Sequence, residues 1–209
     1  MSLFKSIFNR IARVSTLLIL LGVISANIGF FDVSAQNKST EEDRRNARVQ
    51  ATYITRLVKF IRWEGNSTNE EESFKIVVLG NENIGFVKSL SFLVEQSSLK
   101  ADGHPVEVFH FTNAQKKDAL EFINRGVHFI YFTPDCRYTM ADIFPFRKGA
   151  LYISEGRDFV VMDKGCIAFE RTRNRLKLVV NETCFRRKFA KVNPVLTSLR
   201  SVVEVVNVN

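Results

Sequence analysis

Apolar residues change their spacing several times along this chain, and each change marks an element. A nearly continuous apolar run occupies Val14 to Phe31, and residues 36 to 46 are polar and charged. Val49, Tyr53, Ile54, Leu57, Val58 and Ile61 then recur at helical spacing, which predicts one amphipathic helix of roughly twenty residues ending near Trp63. Thr40 followed by Glu41, Glu42 and Asp43 reads as its start, with a side-chain cap and acidic groups facing the positive end of the helix dipole. Gly65 to Glu72 is a polar break. Phe74 to Leu79, bounded by Gly80 and Asn81, is a short unbroken apolar run of the kind found in strands covered on both faces.

Helical and extended patterns alternate from there. Ile84 to Leu93 reads as a helix, Val106 to Phe111 as a strand, Ala114 to Asn124 as a helix, Val127 to Phe132 as a strand closed by Pro134, and Ala150 to Ile153 as a further strand. Such alternation predicts an α/β fold, a mainly parallel sheet with helices on its faces in a single domain. The last third differs. Cys166 to Glu170 and Leu176 to Val180 flank a polar turn at Arg173-Asn174 and read as an antiparallel hairpin. Two helices are expected after it. Asn181 caps the first, and Asn193-Pro194 opens the second, whose face would carry Val195, Leu196, Leu199, Val202 and Val203.

The first segment is an address rather than part of the core. Lys5, Arg10 and Arg13 precede the apolar run, and Val33-Ser34-Ala35 before Gln36 fits the small-residue pattern cut by signal peptidase, so cleavage is placed between Ala35 and Gln36. The run is roughly 18 residues long, near the lower limit for spanning a bilayer, so retention as an N-terminal anchor is the other outcome. The chain is thus organised as a signal peptide over 1–35, a linker over 36–46 and an α/β domain over 47–209. In both outcomes the domain works outside the cytoplasm, and only the N-terminal segment, if uncleaved, touches the membrane. Cleavage would lower the formal charge from +8 to +6, because three basic side chains leave together with Asp32. The basic clusters at Arg171 to Arg175 and Arg186-Arg187-Lys188 read as solvated faces, not as a nucleic-acid surface.

Three cysteines allow at most one internal bridge. Cys166 with Cys184 is the candidate pair because the two flank one hairpin, provided their Cα atoms come within about 7 Å. No catalytic, cofactor or metal motif emerges: His104, His110 and His128 have no partner at ligand spacing, and the glycines at 80 and 85 lack the arrangement that cradles a pyrophosphate. Asp135, Asp142, Glu155, Asp158 and Asp163 fall near predicted strand ends, where a secreted α/β enzyme would keep an acid/base pair, Asp135, Glu155 and Asp158 foremost.

Taken in order, these segments resemble the YfiR-like periplasmic proteins. Val49 to Ile54 through Lys59-Phe60-Ile61-Arg62-Trp63 is similar to the family's opening helix, with its alanine-tyrosine pair and later tryptophan. Phe74 to Gly85, Asp102 to Val106, Val127 to Thr133 and Ala150 to Ser154 resemble its strands, and Lys164 to Phe169 with Leu176 to Asn181 resembles its closing hairpin, followed by a helix pair. Glu64 stands where the family commonly has proline, and Cys166 where it has a small or apolar residue. The resemblance implies a non-catalytic regulator, without cofactor, that binds an inner-membrane signalling protein such as a diguanylate cyclase from the periplasm. Trp63, Phe144 and Phe146 are the candidate partner-binding anchors, and a homodimer is left open. The competing classes are a periplasmic small-molecule-binding protein and a secreted α/β enzyme.

Overall fold

The computed structural model describes residues 41–63, 73–143, 149–172, 175–188 and 190–208. All elements discussed below lie in one compact unit, 46–209, apart from the first helical residues, 41–45. Helix α1 covers residues 41–60, so residues 41–46, expected to be the end of a linker, are already helical. Its buried stripe of Ala47, Ala51, Ile54, Leu57 and Val58 follows the helical spacing. The expected end near Trp63 is corrected: Ile61–Trp63 forms strand β1, antiparallel to β9 (Ala190–Val192), and Asn193 donates its backbone N–H to the Phe60 carbonyl at 2.8 Å. Ile61 is β-branched and Trp63 aromatic, and both have a ladder partner here, so extended backbone outcompetes one more helical turn.

The remaining elements are β2 (Phe74–Leu79), α2 (Phe86–Gln96), β3 (Lys100–Ala101), β4 (His104–Phe111), α3 (Lys116–Asn124), β5 (Phe129–Phe132), α4 (Met140–Ile143), β6 (Leu151–Glu155), α5 (Arg157–Val161), β7 (Ile167–Thr172), β8 (Arg175–Asn181), α6 (Glu182–Arg187), α7 (Pro194–Ser198) and β10 (Val203–Val206). Eight strands join in the order β10-β8-β7-β6-β5-β2-β4-β3. Strands β4, β2, β5, β6 and β7 are mutually parallel, while β7 and β8 form the antiparallel hairpin. The chain therefore starts its sheet in the middle at β2, steps to β4 on one side, and returns to β5 on the other, as a doubly wound α/β sheet does.

Helices cover both faces. Tyr131 and Phe169 pack against Phe86 of α2 and Tyr53 of α1 on one face, whereas Phe132 meets Phe159 of α5 on the other. Residues Ile76 to Leu79 and Phe129 to Ile130 are completely buried, which accounts for the unbroken apolar runs in the sequence.

The last element corrects the sequence reading most. The helix opened by Asn193 and Pro194 stops at Ser198, and Val203–Val206 is a strand laid parallel on β8, Val203 opposite Leu178. The unfilled edge of β8 offers hydrogen bonds to a valine-rich segment whose branched side chains suit a pleated surface better than a helix. Where β8 ends, opposite Val206, buried Asn181 accepts from the Cys184 N–H at 3.4 Å and the Val208 N–H at 3.3 Å and donates to the Gly165 carbonyl at 3.3 Å. Cys166 and Cys184 form a disulfide with Cα atoms 5.1 Å apart, so covalent and polar ties hold α6 against the start of β7.

Candidate functional site

Doubly wound sheets commonly take ligands where the connections diverge, outside the C-terminal ends of the central strands. Here that position lies beyond β2 and β5, at Gly80 and Thr133, and the chain fills it with its own residues. Gly80 adopts a φ of +108°, and a Cβ placed on it would lie 2.8 Å from the Cys136 Cα. Only glycine lets the 133–136 turn come this close. Asn113 ties the turn down, donating from Nδ2 to the Asp135 carbonyl at 3.0 Å and accepting from the Arg137 N–H at 2.8 Å, and the Tyr138 hydroxyl donates to the Thr112 carbonyl at 2.6 Å. The start of α2, where a phosphate would sit in a nucleotide-binding relative, is occupied by Glu82, whose carboxylate accepts the Ile84 and Phe86 N–H groups at 2.8 and 2.7 Å.

An open cleft of about 750 Å³ lies to one side, over the ends of β5, β6 and β7. Phe132, Phe159 and Phe169 line it together with Thr133, Ser154, Glu155, Asp163, Glu170 and Arg171. Its charge is mixed, because Arg171 is among the lining groups and Arg157 lies 3.5 Å from Glu170. Arg157 also holds both carboxylate oxygens of Glu204, which places that carboxyl below its ordinary range. Glu155 Oε1 is 3.3 Å from the hydroxyl of Tyr131, which is also 3.2 Å from Gln50 Oε1 of α1. One phenol carries one proton, so both contacts become hydrogen bonds when the Gln50 amide turns its NH₂ toward the oxygen. Burial, and next the charge of Glu155, push the Tyr131 hydroxyl well above its usual range, leaving it a neutral structural donor.

Of the five carboxylates near predicted strand ends, Glu155 and Asp163 line this cleft. Asp135 instead accepts the Thr133 hydroxyl at 2.8 Å, and Asp158 stands in the first turn of α5. The histidines have packing partners: His128 Nδ1 accepts the Lys75 N–H at 3.1 Å while its ring stacks on Phe74, and His110 Nε2 donates to the Gly80 carbonyl at 2.8 Å. Among the described residues no group of three His, Cys, Asp or Glu side chains is placed to hold a metal ion. Burial raises the Cys136 thiol to about 11, which keeps it protonated at neutral pH.

A second concavity, about 380 Å³, has a different character. Tyr53, Leu57 and Phe60 of α1 face Leu178 of β8, Leu196 of α7 and Leu199, Val202 and Val203, with Arg56 and Lys59 among the lining groups. Leu199 is 45% exposed. The apolar spacing of Val195, Leu196, Leu199, Val202 and Val203 suits one helical face, but α7 ends at Ser198 and the break turns Leu196, Leu199, Val202 and Val203 into a groove wall.

For the anchors proposed from sequence, Trp63 lies on β1 opposite Ala190, while Phe144 and Phe146, like Ala35 and Gln36, lie outside the described residues. Among the described residues no helix is long and apolar enough to cross a membrane. A family model described as DUF4154, YfiR/HmsC-like, matches residues 47–200, which takes in the sheet from β2 to β8, the larger cleft and all of the second concavity's lining but Val202 and Val203. A search of curated proteins finds no match.

Proposed function

This chain belongs to the YfiR/HmsC-like family, and from that premise we propose that it is an exported, non-catalytic regulator that binds a membrane-bound signalling protein from the periplasm. The resemblance to the YfiR-like proteins implies periplasmic regulation of a diguanylate cyclase. The partner proposed here is such a cyclase or a related sensor in the inner membrane. The observation that carries the reading is the family match across nearly the whole described fold. Physical support comes from the ligand position beyond β2 and β5, filled by Thr133, Cys136 and Glu82 of the chain itself. A regulator needs no reacting group. It needs a surface whose affinity differs between two states of its partner, because equal affinity shifts no equilibrium.

The signal segment 1–35, cleaved after Ala35 or retained, belongs to the same proposal, as do Trp63, Phe144 and Phe146 as partner contacts. Crosslinking in cells, followed by purification from membranes, tests it. The expected product joins this chain to an inner-membrane signalling protein; recovery of the chain free of any such protein across growth conditions would contradict the proposal. The cleft of about 750 Å³ supports a second reading, a periplasmic small-molecule binder. Mass spectrometry of the natively purified chain separates the two, since that reading requires a stoichiometric small molecule to travel with it.

A further inference from the structure

The groove between α1, α7 and the β8–β10 edge joins an apolar floor to a basic rim. Tyr53, Leu57, Phe60, Leu178, Leu196 and Leu199 supply apolar surface, and Arg56 and Lys59 are exposed at its side. Among the described lining residues there is no carboxylate. Glu204 adjoins Val203 in sequence, but strand alternation turns it to the opposite face of the sheet, where Arg157 holds it.

We propose that this groove docks an acidic, apolar segment of a protein partner: a few large apolar side chains inserted over Leu57, Phe60, Leu196 and Leu199, with flanking carboxylates against Arg56 and Lys59. The assignment rests on the regulator reading and names the chemistry of the partner's contact segment. Charge complementarity selects this occupant. A second copy of the chain, brought up through a twofold axis, would set one basic rim against another. An anionic membrane is a weaker fit, since two rim cations hold such a surface only weakly and a concave floor is made for inserted side chains.

The test uses the protein purified from the cell envelope and a fluorescent amphipathic peptide with leucine on one helical face and glutamate elsewhere, beside a twin in which lysine replaces glutamate. The leucine–glutamate peptide is expected to bind, to weaken as salt is raised, and to lose affinity about tenfold or more in an Arg56→Glu, Lys59→Glu variant, which now prefers the lysine twin. Leu199→Ser should weaken both peptides while lowering the thermal midpoint only slightly, because the residue is 45% exposed. Equal binding of the two peptides by the native protein, absence of binding, dimerisation that blocks the groove, or preference for phosphatidylglycerol vesicles would overturn the assignment. In cells, a folded Arg56→Glu, Lys59→Glu variant that crosslinks to its membrane partner as the native chain does would sink the groove while leaving the regulator reading standing. Loss of that crosslink, with expression and melting unchanged, supports the groove.

Discussion

At the scale of single residues, the chain puts most of its polar chemistry into holding loops in place. Lys116 Nζ lies 2.8 Å from Asp142 Oδ2, and the Thr139 N–H donates to the same oxygen at 2.8 Å. The lysine foremost, and then the Thr139 N–H, lower the Asp142 carboxyl to about 2. Because the folded value lies below the ordinary one, the interaction is complete above about pH 4 and disappears as pH falls through the folded value. Chemical denaturation should therefore show stability falling between about pH 4 and about pH 2, with a shallower fall in Lys116→Met. An identical slope in the variant would remove Asp142 from the account. Little of this was legible beforehand: Thr139 and Asp142 are close in sequence, but Lys116 reaches them only through the fold. The requirement for glycine at position 80 was hidden for the same reason, since its crowding neighbours Thr133 and Cys136 arrive from another strand end.

At the scale of elements, local patterns succeeded where one partner surface decides the structure and failed where two compete. The buried runs of β2 and β5, the amphipathic face of α1 and the cap at Asn181 all follow from nearby residues. The segment from Val195 to Val206 has apolar residues compatible with a helix, yet the open edge of β8 draws its second half into β10. The hairpin and α6 carry their own prediction. The Cys166–Cys184 bridge spans 18 residues and restricts the unfolded chain, so replacing both cysteines by alanine should cost about 3 kcal/mol in urea denaturation. A change indistinguishable from zero would mean that the hydrogen bonds of Asn181 alone fix α6 to the hairpin.

At the scale of the whole molecule, the alternation of strand and helix patterns conveys the α/β class and the largely parallel sheet. The groove was beyond reach of periodicity, because its walls come from α1, β8 and the C-terminal segment, which meet only after the sheet has formed. Function followed from the order of the elements, read as a family resemblance, and not from any catalytic constellation, as befits a domain whose proposed work is to favour one state of a partner. The most direct test of that work is the cyclic-di-GMP level in cells with and without the chain. The account predicts a rise when the chain is deleted, reversed by the exported protein and left uncorrected by a copy lacking residues 1–35. An unchanged level on deletion, or full reversal by the copy kept in the cytoplasm, would contradict it.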